Sequence, residues 1–146
     1  MSFRVSKAIF LVASLLQSMA YGLTFLLPDL FRTVGGTVGD VGGALLTVGI
    51  ITILTAVMLG RLTRRYGQFR ILVLSCLACA VALILLGTAP RIGVETYLGS
   101  EFLGFGWAGL YILGPIVLAG VLAPKDRVKY FSWLAAFIMA GIGAGP

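Results

Sequence analysis

Long runs without a single charged side chain dominate this sequence, and they limit what it can fold into. Ala8 to Pro28 carries no charge, and neither does Val41 to Gly60 or Ile71 to Pro90. A fourth run, Tyr97 to Ala123, holds one acid, Glu101, and a fifth starts near Tyr130 and is still uncharged at Pro146. An apolar stretch of about 18 residues or more is long enough to cross the roughly 30 Å hydrocarbon core of a bilayer as a helix. The first run follows Arg4 and Lys7, as the apolar part of a secretory signal does, but it is too long for one and further runs follow it.

Composition agrees. Of the 146 residues 60% are hydrophobic and 11% charged, with mean hydropathy +1.08, whereas a soluble domain carries about 25% charged residues. Lipid must therefore cover much of the surface. The 20 glycines fit the same setting, because small residues let helix backbones approach closely in membranes. The expected fold is an all-α, polytopic transmembrane bundle with helices at about 8–28, 41–60, 71–90, 97–123 and 130–146.

The net charge of +6 is not spread over a polar face, as nucleic-acid binding would need. Arg4 and Lys7 precede the first run. Arg61, Arg64, Arg65 and Arg70 lie between the second and third, and Lys125, Arg127 and Lys129 between the fourth and fifth. The other two connections hold only Arg32 and Arg91, beside Asp29, Asp40 and Glu95. Nine of the eleven basic residues thus fall on one side, which the positive-inside rule assigns, with the N-terminus, to the cytoplasm.

Nothing in the chain reads as an enzyme. Cys76 and Cys79 form a CxxC pair inside an apolar run, but with no histidine and no second ligand pair they read as small packing residues, not a zinc site. Gly35-Gly36-Thr37-Val38-Gly39 lacks the lysine and the preceding strand of a phosphate-binding loop and reads as a flexible external connection. No metal, cofactor or catalytic constellation is expected.

The segment Gly60-Arg61-Leu62-Thr63-Arg64-Arg65-Tyr66-Gly67-Gln68-Phe69-Arg70 reads as a tight basic turn, with Gly60 and Gly67 supplying close approach or unusual backbone angles. Its order resembles the signature G-x-L-[small]-D-R-x-G-R-[RK] of the major facilitator superfamily, found between the second and third helices. Gly60, Leu62, Thr63, Arg65 and Gly67 match; Arg64 replaces the aspartate that in the family helps lock the cytoplasmic gate, and Gln68 and Phe69 replace basic residues, leaving Arg65 and Arg70 to take part. Gly141-Ile142-Gly143-Ala144-Gly145-Pro146 resembles the G-x-x-x-G-P motif in the fifth helix of the drug-efflux branch, with Gly141 and Gly145 giving a flat packing face and Pro146 a kink. Gln17, Tyr21, Gly22 and Pro28 resemble the first-helix pattern. Gly99, Gly104 and Gly106 resemble the fourth-helix segment G-R-x-x-x-G-x-G, with Ser100 in place of the arginine associated with proton coupling.

The resemblance implies that residues 1–146 are an incomplete N-terminal transmembrane half-domain, the first five helices of twelve. Its partners would be the lipid bilayer, a small-molecule substrate and the missing C-terminal half. It also implies placement in the cytoplasmic (inner) membrane of a bacterium. The expected function is secondary active transport, proton-coupled efflux by alternating access. A small oligomeric exporter and a non-transporting membrane scaffold are the alternatives. In the family the first and fourth helices line the cavity, which makes Gln17, Tyr21, Trp107 and Tyr111 the substrate candidates. Glu101, an acid within an apolar run, is the proton-coupling candidate, although its place near the outer end also fits the headgroup interface.

Overall fold

A computed structural model describes residues 7–146; Arg4, one of the N-terminal basic pair, lies outside them. The described residues form six α-helices and two short 3-10 turns: α1 (Lys7–Gly22), α2 (Leu27–Thr33), α3 (Val38–Tyr66), α4 (Gln68–Thr88), α5 (Val94–Val121) and α6 (Arg127–Ala144). A 3-10 turn, Leu23–Leu26, joins α1 to α2, so the first apolar run belongs to a continuous helical stretch from Lys7 to Thr33. Four stretches are long and apolar enough to cross a membrane: Lys7–Thr33, Val38–Tyr66, Gln68–Thr88 and Val94–Val121. The fifth hydrophobic run forms α6, whose first turn carries Arg127 and Lys129.

The helices are longer than the uncharged runs because polar end residues continue them. At the start of α3 the Asp40 amide donates to the Thr37 hydroxyl oxygen at 3.3 Å, and the Thr37 amide donates to the Asp40 carboxylate at 2.7 Å. Both bonds satisfy amides that the first helical turn leaves without partners. Before α5 the Thr96 hydroxyl accepts from the Gly93 amide at 3.0 Å. The glycine-rich segment at 35–39 is correspondingly short as a connection: Gly35 takes a φ of 79°, and helix resumes at Val38.

The segment expected as a basic turn from Gly60 to Arg70 is instead almost wholly helical. Helix α3 runs through Tyr66 and α4 starts at Gln68, so Gly67 is the single non-helical residue between them. Its φ of 87° is in the region that disfavours side chains, and its amide donates to the Thr63 carbonyl at 2.9 Å. Gly60 serves no such purpose: it lies inside α3 with open space around it. Arginine is a good helix former, and the charges at Arg61, Arg64 and Arg65 do not stop the helix.

Helix α5 is the centre of the bundle, packed against α4 on one side and α3 on another, while α6 packs on α1. Half of the apolar window of α5 is buried, against 17% for α3, so α3 presents most of its surface outward. One core cluster joins Phe10, Leu59, Leu72, Leu110, Leu113 and Leu134; a second joins Leu27, Phe31, Val48, Ala82, Leu86 and Leu103.

Gly67→Ala should destabilise the chain by about 1–3 kcal/mol, because alanine is strained at that φ. Gly60→Ala should be neutral or stabilising by up to about 1 kcal/mol, since it adds helix propensity in open space. Unfolding of the two variants in mixed detergent, followed by circular dichroism, would separate them; equal effects would contradict this assignment.

Candidate functional site

The four residues expected to face a cavity come together on one side of the α1–α5 contact. Tyr21 of α1 stacks on Trp107 of α5 with ring centroids 4.0 Å apart and 15° between planes. Trp107 is followed one turn on by Tyr111, at 5.5 Å and 30°. These rings form a row that is half-buried at Tyr21 and Trp107 and exposed at Tyr111. Pro115, inside α5, lacks the amide that would donate to the Tyr111 carbonyl, so an acceptor is freed from helical bonding beside the last ring.

Gln17 is buried behind this row. Its Nε2 donates to the Gly106 carbonyl at 2.9 Å and approaches the Cys79 sulfur at 3.7 Å, while its Oε1 accepts from the Cys76 thiol at 2.9 Å. One amide therefore ties α1 to α4 and α5. In this chain its polar atoms are engaged between helices, and the aromatic rings, not Gln17, form the accessible surface. The cysteines that read as inert packing are its hydrogen-bond partners, Cys76 exposed and Cys79 buried. A CxxC spacing carries no sign of this role, which depends on an α1 residue 59 positions away.

The other expected residues sit at helix contacts. A Cβ on Gly141 would run into the Ser18 hydroxyl and lie 2.5 Å from the Leu15 carbonyl; one on Gly145 would lie 2.5 Å from the Met19 carbonyl. Reciprocally, a side chain on Gly22 would enter the Ile142 carbonyl. Ser18 and Gly22 of α1 thus meet Gly141 of α6 and its capping residue Gly145 through paired four-residue spacings, which place small residues on one helical face. Pro146 follows Gly145, two residues past Ala144, the last residue of α6. At the opposite partner surface, Gly106 and Gly109 of α5 admit Ser75 and Cys79 of α4, and Gly104 admits the Val48 carbonyl of α3 at 2.5 Å. Ser100 is fully buried and donates to the Thr96 carbonyl at 2.9 Å.

At the other end of α3, Arg61, Arg64, Arg65 and Arg70 are all exposed, with Leu62 partly buried against the core and the Arg65 guanidinium 5.3 Å from the Tyr66 ring. On the same side Lys7 stands 4.8 Å from the Tyr130 ring, linking the start of α1 to the start of α6. Glu101 joins neither the aromatic row nor the basic end. It is exposed in a groove between α3, α4 and α5. Among the described residues no group of three or more His, Cys, Asp or Glu is placed to hold a metal ion.

An all-α bundle with several membrane-long helices, packed through glycines, defines a polytopic membrane protein. Residues 9–146 match the Major Facilitator Superfamily, and the chain belongs to that family. It is 30% identical over 145 residues to the tetracycline resistance protein, class B, of Escherichia coli; the match covers 97% of this chain and 36% of that protein. The chain thus spans about a third of the length of this relative. No solved structure matches it.

Gln17→Leu should remove the donor and acceptor that hold α4 against α1. Interhelical hydrogen bonds in membranes contribute about 0.6 kcal/mol each, so a loss of about 1–2 kcal/mol is expected. The freed Cys76 thiol should react faster with a membrane-permeant maleimide. Unchanged Cys76 labelling in a folded Q17L variant would show that the bond does not restrain it.

Proposed function

We propose that this chain is the substrate-binding N-terminal portion of a secondary transporter that exports small lipophilic molecules by alternating access. The observation that carries this reading is the stacked row Tyr21–Trp107–Tyr111, displayed on the two helices that tie the halves of the bundle together. Transporters with repeated helical units bind their substrates near the bilayer midplane between units that rock against each other. Flat rings beside a Tyr111 carbonyl that has no helical donor at Pro115 suit a ligand that has an apolar, unsaturated body and a few polar edges. Membership of the family supports transport, and the E. coli relative, a tetracycline resistance protein by name, supports a ligand of the tetracycline kind.

Transport itself requires the C-terminal half, because alternating access needs a second unit. In this reading the driving force is the proton gradient, and Glu101 is the acid within the four apolar spans that lies away from the helix ends. Exported cargo and proton then use separate faces of α5, since Glu101 lies off the aromatic row.

Tetracycline is the first ligand to test. Its fluorescence should report saturable binding to the chain in detergent, weakened about tenfold by Trp107→Ala, the upper range for loss of an aromatic stack. Absence of saturable binding, or equal affinity in W107A, would reject the row as a binding surface. In vesicles carrying the chain together with its C-terminal half, Glu101→Gln should abolish flux driven by a pH gradient while leaving binding intact. Full gradient-driven flux in E101Q would reject the coupling role alone.

A further inference from the structure

The groove that contains Glu101 has the shape of a site for an amphiphile. It has a volume of about 470 Å³, within the roughly 300–1,000 Å³ range of small-molecule sites, and it is walled by Ile51, Leu77, Val81, Leu98, Phe102 and Phe105 among others. Glu101 is the one charged residue in this wall. Among the described residues its carboxylate has no hydrogen-bond or ion-pair partner. An unpaired carboxylate against apolar walls at the edge of the hydrocarbon is costly, which favours a cationic group brought to it by a ligand.

Polarity is graded along the groove. At about 1.5 Å per residue, Glu101 lies roughly 10 Å along α5 from its start at Val94, near the boundary between headgroups and acyl chains. Side chains on a helix lean toward its N-terminus, and in α5 that end faces the nearer headgroup layer. The apolar wall continues inward from there, through Phe105 and down to Leu74, which lies roughly 21 Å from the end of α4 at Thr88. Leu77 and Phe102 are 58% and 40% exposed, so the wall opens sideways.

We propose that this groove binds a bilayer aminophospholipid, with its primary ammonium on the Glu101 carboxylate and one acyl chain along Leu77, Phe102 and Phe105. A primary ammonium offers three N–H donors to the carboxylate, whereas the quaternary ammonium of a choline head offers none. The contact needs Glu101 ionised, so lipid and a transported proton would exclude each other on this carboxylate; lipid binding is read at equilibrium without a gradient, and its outcome is separate from that of the flux measurement.

The test is native mass spectrometry of the chain released from nanodiscs containing equal amounts of phosphatidylethanolamine and phosphatidylcholine with identical acyl chains. The wild-type chain should retain the ethanolamine lipid about tenfold over the choline lipid, the scale of one charge-assisted hydrogen-bonded contact. Glu101→Gln should retain both equally, and Leu77→Trp, which fills the groove, should retain less of both. Circular dichroism establishes that each variant is folded. Equal retention of the two lipids by the wild type, a preference that survives in E101Q, or no retained lipid because another helix fills the groove would each overturn the proposal.

Discussion

Everything in this bundle depends on how closely the backbone of α5 can be approached. In a bilayer, lipid tails solvate apolar side chains as well as other helices do, so burying leucines against each other provides little of the drive it provides in water. Contact must then come from dispersion over surfaces that fit, and from polar groups that have no better partner. Gly104 lets α3 bring the Val48 carbonyl against α5, and Gly106 and Gly109 do the same for α4 through Ser75 and Cys79. At that distance the Thr52 hydroxyl reaches the Gly104 carbonyl at 3.2 Å, a cross-helix bond that a bulkier residue would prevent. The small residues therefore act first, and the hydrogen bonds follow from the approach they permit.

The same constraint explains the treatment of polar side chains. Ser14, Ser75 and Ser100 are buried and return their hydroxyl protons to carbonyls one turn back. That arrangement satisfies them within their own helix and costs the interface nothing. Gln17 differs, since its amide is too long and has too many polar atoms to be satisfied locally. It draws on the Gly106 carbonyl, Cys76 and Cys79, and in doing so it sets the rotation of α1 that brings Tyr21 over Trp107. The aromatic row and the buried amide are in this sense one construction, set one turn apart on the same face of α1.

Much of this was legible in the sequence because a bilayer enforces a length and forbids charge. The uncharged runs located the helices, and the Gly141–Gly145 spacing marked a surface of close approach, while the glycines at 99, 104 and 106 were legible only as a family resemblance. What the runs could not reveal was where each helix ends, since Thr37, Asp40 and Thr96 extend helices into polar segments by capping them. The turn expected across 60–70 narrows to Gly67 for a related reason: charge marks the edge of the hydrocarbon, not the end of a helix. The partnership of Gln17 with Cys76 depends on how α1 and α4 are rotated, and no one-dimensional pattern records that. Glu101 could be placed near one end of its apolar run, but the groove around it is assembled from three helices.

The single-residue connection at Gly67 has a mechanical consequence. Helices α3 and α4 both clasp α5, and they are joined at one end with no slack. With one residue between them the facing ends of α3 and α4 cannot draw apart, because there is no spare chain to span a gap. The connection at Gly67 therefore couples α3 and α4 at one end of their contact with α5, whereas α6 follows α5 through a longer segment, Leu122 to Asp126.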